Sequence, residues 1–434
     1  MSTFLKRTLL PRHSRLGRFL RRFRARFRPP RPSGRPYSQE ELLARTDDFN
    51  RSAEGYWSEL ASDPVSRDSL LRKPLTTVQD ASSILYRTGL VLSELRLGVG
   101  HSVLDLGAGA CWLSAFLNRL GCRTIAVDVS PTALEMGREL FRLDPRQRMD
   151  LDPQFLVYDG RRLPLPDGSV DRVVSFDAFH HVPNENEILG EVFRVLRTGG
   201  RAVFAEPGEG HSHMDHSRFE SGRFHVLENE LDLEALGREA ERLGFTEFLV
   251  KPYPEPSAVT VTAREYFRFM AGKDLYFPID DLRRSLADFY VFVLAKGPQA
   301  FDSRNPRTLR AALSLPGGGG RLSGRAGSEA SLALQVRNEG DTTWLHQELP
   351  AGGYVRVGAH LMSERRESLD WDFMRAWLPG PVAAGESAAV DARFHLPATP
   401  GRYLLRLDMV DEGVAWFEQH GSPVLEVELL VEAS

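Results

Sequence analysis

Cysteine is scarce: Cys111 and Cys122 are the only two in 434 residues. Two thiols build no disulfide framework, and a reducing, cytoplasmic setting is the expectation. Long apolar runs are missing as well. No stretch approaches the roughly twenty apolar residues of a membrane-spanning helix, and the amino terminus lacks the unbroken apolar segment of a secretory signal. Acids are absent from residues 1–36, which hold twelve Lys or Arg. The whole chain carries a net charge of −4, so the remainder carries about −16.

What stands at the amino terminus is basic and amphipathic. Leu16, Phe19, Leu20, Phe23 and Phe27 fall on one helical face among arginines. Two readings stay open: a solvated basic tail, or an interfacial helix resting on the anionic inner face of a membrane. No recognised RNA or DNA module accompanies the arginines, so no nucleic-acid partner is expected. The proline-rich run over 28–36 ends whatever helix forms.

A chain of this length exceeds what one core usually supports, and two or three domains are expected. Residues 37–100 read as a helical cap, with helices over 38–50 and 77–95. Tyr56, Trp57 and Leu60 lie between them without strand-like alternation, as core over a sheet or as the roof of a ligand. Over 101–300, strands near 102–106, 123–128, 154–158, 171–176, 200–205, 246–250 and 289–295 alternate with helices at 114–120, 131–143, 185–196 and 233–243. Helices of that length suit right-handed crossovers, which predicts an α/β fold with a doubly wound, parallel, Rossmann-like sheet of seven strands. An insertion rich in aromatics (Tyr266, Phe267, Phe269, Tyr276, Phe277) precedes the last strand. Residues 301–329, with the glycine-rich run 316–320, read as a flexible linker. From 330 to 434, short alternating stretches punctuated by Asn338-Glu-Gly340, Pro379-Gly380 and Pro400-Gly401 indicate a separate all-β sandwich.

The densest signal lies at 103–110, Val-Leu-Asp-Leu-Gly-Ala-Gly-Ala, answered by Ile-Ala-Val-Asp at 125–128. An apolar strand runs into a turn containing Gly107 and Gly109, and a second strand ends in an acid about twenty residues on. That pattern sets backbone N–H groups and a carboxylate around a nucleoside ribose at the carboxyl edge of a parallel sheet. Trp112 stands where a third glycine would complete a pyrophosphate fingerprint. The loop therefore suits a nucleoside without a diphosphate better than NAD or FAD.

Further motifs follow in order: Tyr158-Asp-Gly160 with Leu163-Pro-Leu-Pro-Asp167, then Ser169 to Val182, then Arg194-Val-Leu-Arg-Thr-Gly-Gly200. Together with the glycine loop and Asp128 they resemble the class I S-adenosylmethionine-dependent methyltransferase family over roughly 101–297. The resemblance implies S-adenosylmethionine as cofactor, with Asp128 on the ribose hydroxyls and Asp159, followed by Gly160, at the adenine amino group. Gly107 and Gly109 let the methionine part approach, and Asp105 holds the glycine turn or meets the cofactor's ammonium. Phe176, at the end of the fourth strand, completes the cofactor set. Trp112 reads as helix core.

Methyl transfer is an in-line displacement from a sulfonium, so alignment of nucleophile and methyl supplies much of the rate. A base is needed only where the acceptor must lose a proton, as a sugar hydroxyl does. His180, His181, Glu206, His211, His213 and His216 lie near the ends of strands four and five, and His181, Glu206 and His180 are the catalytic candidates. The run His211-Ser-His-Met-Asp-His216 spaces histidines for chelation. No companion ligand pair of diagnostic spacing occurs elsewhere, and no metal is expected.

The carboxyl-terminal stretches Val336 to Trp344, Pro400-Gly-Arg-Tyr403 and Asp408 to Phe417 resemble immunoglobulin-like sandwiches found beside bacterial polysaccharide-export and glycan-modifying proteins. That likeness implies O-methylation of a cell-surface glycan or its lipid-linked precursor. A small metabolite or lipid acceptor, with the sandwich as a dimerisation module, is the alternative. A non-catalytic, S-adenosylmethionine-binding regulator is another. Trp344, Trp371, Trp377 and Trp416 would stack on sugars where exposed, and pack as core where not.

Overall fold

In a computed structural model of the chain, residues 36–252, 262–273 and 279–433 are described. The basic tail to Arg35, and Tyr276 and Phe277 of the aromatic insertion, lie outside them. The cap starts with a capping box: the Ser38 hydroxyl accepts from the Glu41 amide while the Glu41 carboxylate accepts from Ser38 N–H. This opens α1 (Gln39–Ala44), and the chain turns at Arg45 into α2 (Thr46–Ser62). The helix expected over 38–50 is thus two helices. Asp63 caps α3 (Pro64–Leu71), and Thr77 caps α4 (Val78–Leu95).

Seven strands form the central sheet: β1 (Ser102–Leu106), β2 (Arg123–Asp128), β3 (Gln154–Val157), β4 (Val170–Phe176), β5 (Leu196–Pro207), β6 (Glu247–Val250) and β7 (Phe289–Lys296). Their order is β3-β2-β1-β4-β5-β7-β6. The first five pair in parallel. The wholly parallel sheet expected from the sequence stops there, because β7 enters between β5 and β6 antiparallel to both. A reversed strand needs no crossover helix, so helix lengths between strands do not report its direction. Neighbouring residues point to opposite faces. Val103, Val174 and Val203 pack with α4 and with α5 (Trp112–Arg119), while Leu104, Val173 and Phe204 pack with α7 and α9. The remaining α-helices among the described residues are α6 (Pro131–Leu143), α7 (Glu185–Val195), α8 (Asp215–Phe224), α9 (Leu233–Leu243), α10 (Ala263–Met270) and α11 (Ile279–Ala287). The sequence reading passed over α8, which is polar and buries only Ser217.

The carboxyl-terminal part is two sheets around one core: β13-β10-β8 and β12-β11-β14-β16-β9. These strands are β8 (Ala311–Ser314), β9 (Arg321–Arg325), β10 (Glu329–Asn338), β11 (Val355–Ser363), β12 (Ser368–Trp377), β13 (Ser387–His395), β14 (Gly401–Asp411) and β16 (Leu425–Glu432), with β15 (Ala415–Trp416) beside β14. Leu334, Val336 and Val390 of one sheet meet Val357, Leu407 and Val427 of the other. Residues 301–329 are therefore not a linker. β8 pairs with β10 and β9 with β16, and the glycine run between them is a turn.

Arg304 ties the two parts together. Its guanidinium donates to both oxygens of Asp171 at 3.0 Å, and its carbonyl accepts from Val99 N–H at 2.9 Å. Asp171 opens β4, so the sandwich docks at the amino ends of the strands. Asn305 to Arg96, and Arg148 to the Pro350 carbonyl, add contacts at that end. Burial opposes ionisation of Asp171, but Arg304, His101 and Arg197 hold its carboxyl below the usual range. A depressed carboxylate pKa contributes stability above the unfolded value of about 3.9 and loses it as pH falls through the folded one. Arg304→Ala is expected to cost about 3 kcal/mol of unfolding free energy near neutral pH, with the gap to wild type closing below about pH 4. Denaturant unfolding at both pH values checks this, and a neutral-pH loss well below 1 kcal/mol would show that the pair does not hold the domains.

Candidate active site

The glycine turn follows β1, with Gly107 and Ala108 N–H donating to the Val127 carbonyl at 2.9 and 3.1 Å. Gly107 has φ +71°, and a Cβ there would come within 2.6 Å of Ala178 Cβ. Gly109 has φ +52°, and its Cβ would sit 2.7 Å from Trp57 Cζ2. Both positions therefore require glycine. Asp128, at the end of β2, accepts Gly109 N–H at 2.8 Å on one oxygen and Ser130 N–H at 2.9 Å on the other. Burial pushes its carboxyl up, with those two amides opposing. Ser130, not Asp128, caps α6, accepting from Ala133 N–H. Asp105 accepts the Ser114 hydroxyl at 2.6 Å and so joins β1 to α5, its pKa pushed by burial up to about 6.

One face of α2 runs along this edge. Asp47 meets Arg161, Asn50 donates to the Asp159 carbonyl, Glu54 accepts from Ser130 and Thr132, and Trp57 covers Gly109. Positions 47, 50, 54 and 57 share a helical face, so the cap crosses the ends of β3, β2 and β1 in turn. Asp159 is exposed, and its Oδ1 takes the amides of Arg161 and Arg162 at 2.8 Å. Gly160 is buried against Asn50, and its carbonyl accepts from Asn184. The cavity beside the glycine turn is lined by Trp57, Lys73, Asp105, Trp112, Phe176 and Asp177, among others. Trp112 is core, as read from sequence, packing with Leu113 and Leu117, and it also forms part of the cavity wall, edge-on to Phe176 at 5.2 Å. Arg87 grips Asp177 through two hydrogen bonds. Burial pushes the Lys73 ammonium down, opposed by Asp177.

Glu206 is wholly buried and committed. It accepts the Ser175 hydroxyl, the amides of Ala178 and Phe179 at 3.2 and 3.0 Å, and His180 Nδ1–H at 2.8 Å. Burial raises its pKa to about 7. Glu206, a base candidate from sequence, thus sits with its oxygens taken up by donors of Ser175 and the turn after β4. His180 is buried too, which drives its pKa well down and leaves it neutral with Nε2 open as an acceptor. His181 is half-exposed and donates Nδ1–H to the Leu227 carbonyl at 2.5 Å.

A residue the sequence reading missed completes this cluster. Glu228, buried, lies 3.9 Å from His180 Nε2 and 3.6 Å from His181 Nδ1, and accepts His211 Nε2–H at 2.7 Å. Of the 211–216 run only His211 joins; His213 is exposed, and the exposed His216 pairs with Glu220. No pattern marks Glu228, one acid in the irregular stretch before α9. Lys73 and Arg87 were equally silent, lying inside the cap with no motif around them.

The model of a methyltransferase domain matches residues 104–204. The match covers that stretch and less than half of the chain. Among curated relatives, Methyltransferase GfsG of Streptomyces halstedii is 31% identical over 183 residues, covering 41% of this chain and 58% of its own. Sarcosine/dimethylglycine N-methyltransferase of Halorhodospira halochloris is 33% identical over 115 residues, covering 26% of this chain and 39% of its own. The chain thus spans about half the length of the curated relatives it matches. Among solved structures, Haemonchus contortus phosphoethanolamine N-methyltransferase 2 with S-adenosyl-L-methionine is 16% identical, covering 61% of this chain and 60% of its own, at a TM-score of 0.37.

The methyltransferase domain's cofactor is S-adenosylmethionine, and the residues present suit it. Two glycines open the turn where Cβ atoms would block approach, and Asp128 offers a buried carboxylate at the strand end. Asp128→Ala is expected to weaken cofactor binding by about 1.5–3 kcal/mol, the loss of charged hydrogen bonds. Calorimetric titration with S-adenosylmethionine checks this, and unchanged affinity would remove Asp128 from the ribose.

Proposed function

We propose that this protein transfers the methyl group of S-adenosylmethionine to a hydroxyl oxygen of a small molecule. The observation that carries the proposal is one sheet edge bearing both the glycine-turn cavity and, beside it, imidazole nitrogens backed by a buried carboxylate. Bound cofactor supplies a methyl group made electrophilic by the sulfonium. Asp128 would hold the ribose hydroxyls and Asp159 the adenine amino group, while Lys73 would pair with the methionine carboxylate. Trp57 and the rest of α2 exclude water from that side. A hydroxyl must shed its proton as it attacks, and it would do so toward the His180 and His181 edge. Glu206 orients His180 for this through Nδ1.

The small-molecule reading draws support from the sandwich's position. It docks at the amino ends of the strands, opposite the cofactor edge, and contributes no residue to the cavity lining. The relative named for sarcosine and dimethylglycine also acts on small molecules by its name. A glycan acceptor keeps one observation in its favour. Trp344 and Trp416 are core, but Trp371 and Trp377 on β12 are each 48% exposed and offer faces to sugar rings.

Labelled S-adenosylmethionine, incubated with the full chain and fractionated extract, tests the reading, and cofactor binding without labelling of any fraction would favour a regulator. His181→Ala is expected to lower turnover about 10²–10⁴-fold with cofactor affinity unchanged. A double Trp371→Ala, Trp377→Ala variant is expected to methylate a soluble acceptor at the wild-type rate. A marked fall in that rate would make the sandwich the acceptor's reader.

A further inference from the structure

His180, His181 and Glu228 come from two separate segments, yet one ligand atom of each lies within 4.8 Å of the others. His180 Nε2 stands 3.9 Å from Glu228 Oε2, and His181 Nδ1 3.6 Å from Glu228 Oε1. Two ligand atoms on a tetrahedral zinc ion with bonds of 2.0–2.1 Å are about 3.3 Å apart, so small side-chain rotations bring the three onto one ion. The surroundings have the form of a metal site's outer shell. Glu206 fixes the His180 ring through Nδ1 and leaves Nε2 pointing to the cluster. His211 Nε2 and, behind it, the Ser217 hydroxyl hold Glu228 from the far side. To bind the ion, His181 Nδ1 gives up its hydrogen bond to the Leu227 carbonyl, the ring proton moving to Nε2.

Charge points the same way. Among the described residues, Glu206, Glu228 and Glu220 form ion pairs only with histidines; no Lys or Arg reaches any of the three. Glu206 and Glu228 are buried, and Glu220 is largely so. Buried carboxylates without a Lys or Arg partner are costly, and a divalent cation would offset that cost.

We propose that His180, His181 and Glu228 bind one divalent transition-metal ion of the zinc and cobalt type, whose open positions face the acceptor side of the cavity. Two imidazoles and a carboxylate suit such borderline ions better than magnesium or calcium. Three protein ligands leave room for an exogenous oxygen. The consequence for catalysis rests on the methyl-transfer reading above: a hydroxyl bound to the ion becomes more acidic there, and the ion takes over the activation assigned to the imidazole edge.

The test is titration of chelator-treated, full-length protein with Co²⁺. Visible d–d absorption and equilibrium dialysis should both saturate at one equivalent, with Zn²⁺ displacing the colour. Glu228→Gln and the half-exposed His181→Ala should each weaken the ion at least ~10-fold while cofactor affinity, measured by calorimetry, shows the fold intact. No stoichiometric cobalt spectrum, or equal binding by His181→Ala, overturns the site. Labelling that persists after chelation with no cobalt spectrum rejects the ion and keeps the methyl-transfer reading. A normal cobalt spectrum with no labelling of any acceptor rejects methyl transfer and keeps the ion.

Discussion

The carboxylate of Glu206 organises the carboxyl edge of the sheet. It sits at the end of β5 with no solvent contact and draws in the Ser175 hydroxyl, the amides after β4 and the His180 ring. A buried carboxylate is costly unless its lone pairs are met, so the turn after β4 is held in the one conformation that meets them. That conformation places Ala178 against Gly107 and sets His180 and His181 side by side, ring centroids 3.8 Å apart. The glycine turn and the histidine cluster are therefore coupled through one side chain that touches neither cavity wall directly.

The second constraint is the cap. A methyltransferase sheet alone leaves the ends of β1, β2 and β3 open at their carboxyl edge. Here α2 covers all three by matching successive positions on one face to successive strand ends. Lys73 lines the same cavity from just past α3, and Arg87 of α4 holds Asp177 in its wall. Enclosure of this cavity is thus local in space but spread over more than a hundred residues of sequence.

The sandwich obeys a different logic. Asp171 and Arg304 tie it to the amino ends of the strands, and it adds no residue to the lining of the cavity at the opposite edge. Its exposed tryptophans look outward from an edge strand.

The amino-acid sequence alone was enough for the seven strands, the glycine turn, the acid at Asp128 and the sandwich core. Each of those is written in short-range periodicity or in a spacing of a few residues. Asp159 and Gly160 were legible as a motif, though the backbone amides that hold Asp159 were not. Tertiary structure decided the reversal of β7, the strands inside 301–329, the donors gathered on Glu206 and the place of Trp112 beside the cavity. It also decided the cluster of His180, His181, His211 and Glu228. Strand direction and side-chain convergence depend on how distant segments pack, and local pattern carries no information on that. A buried carboxylate and a reactive one are the same letter until the fold places donors around one of them.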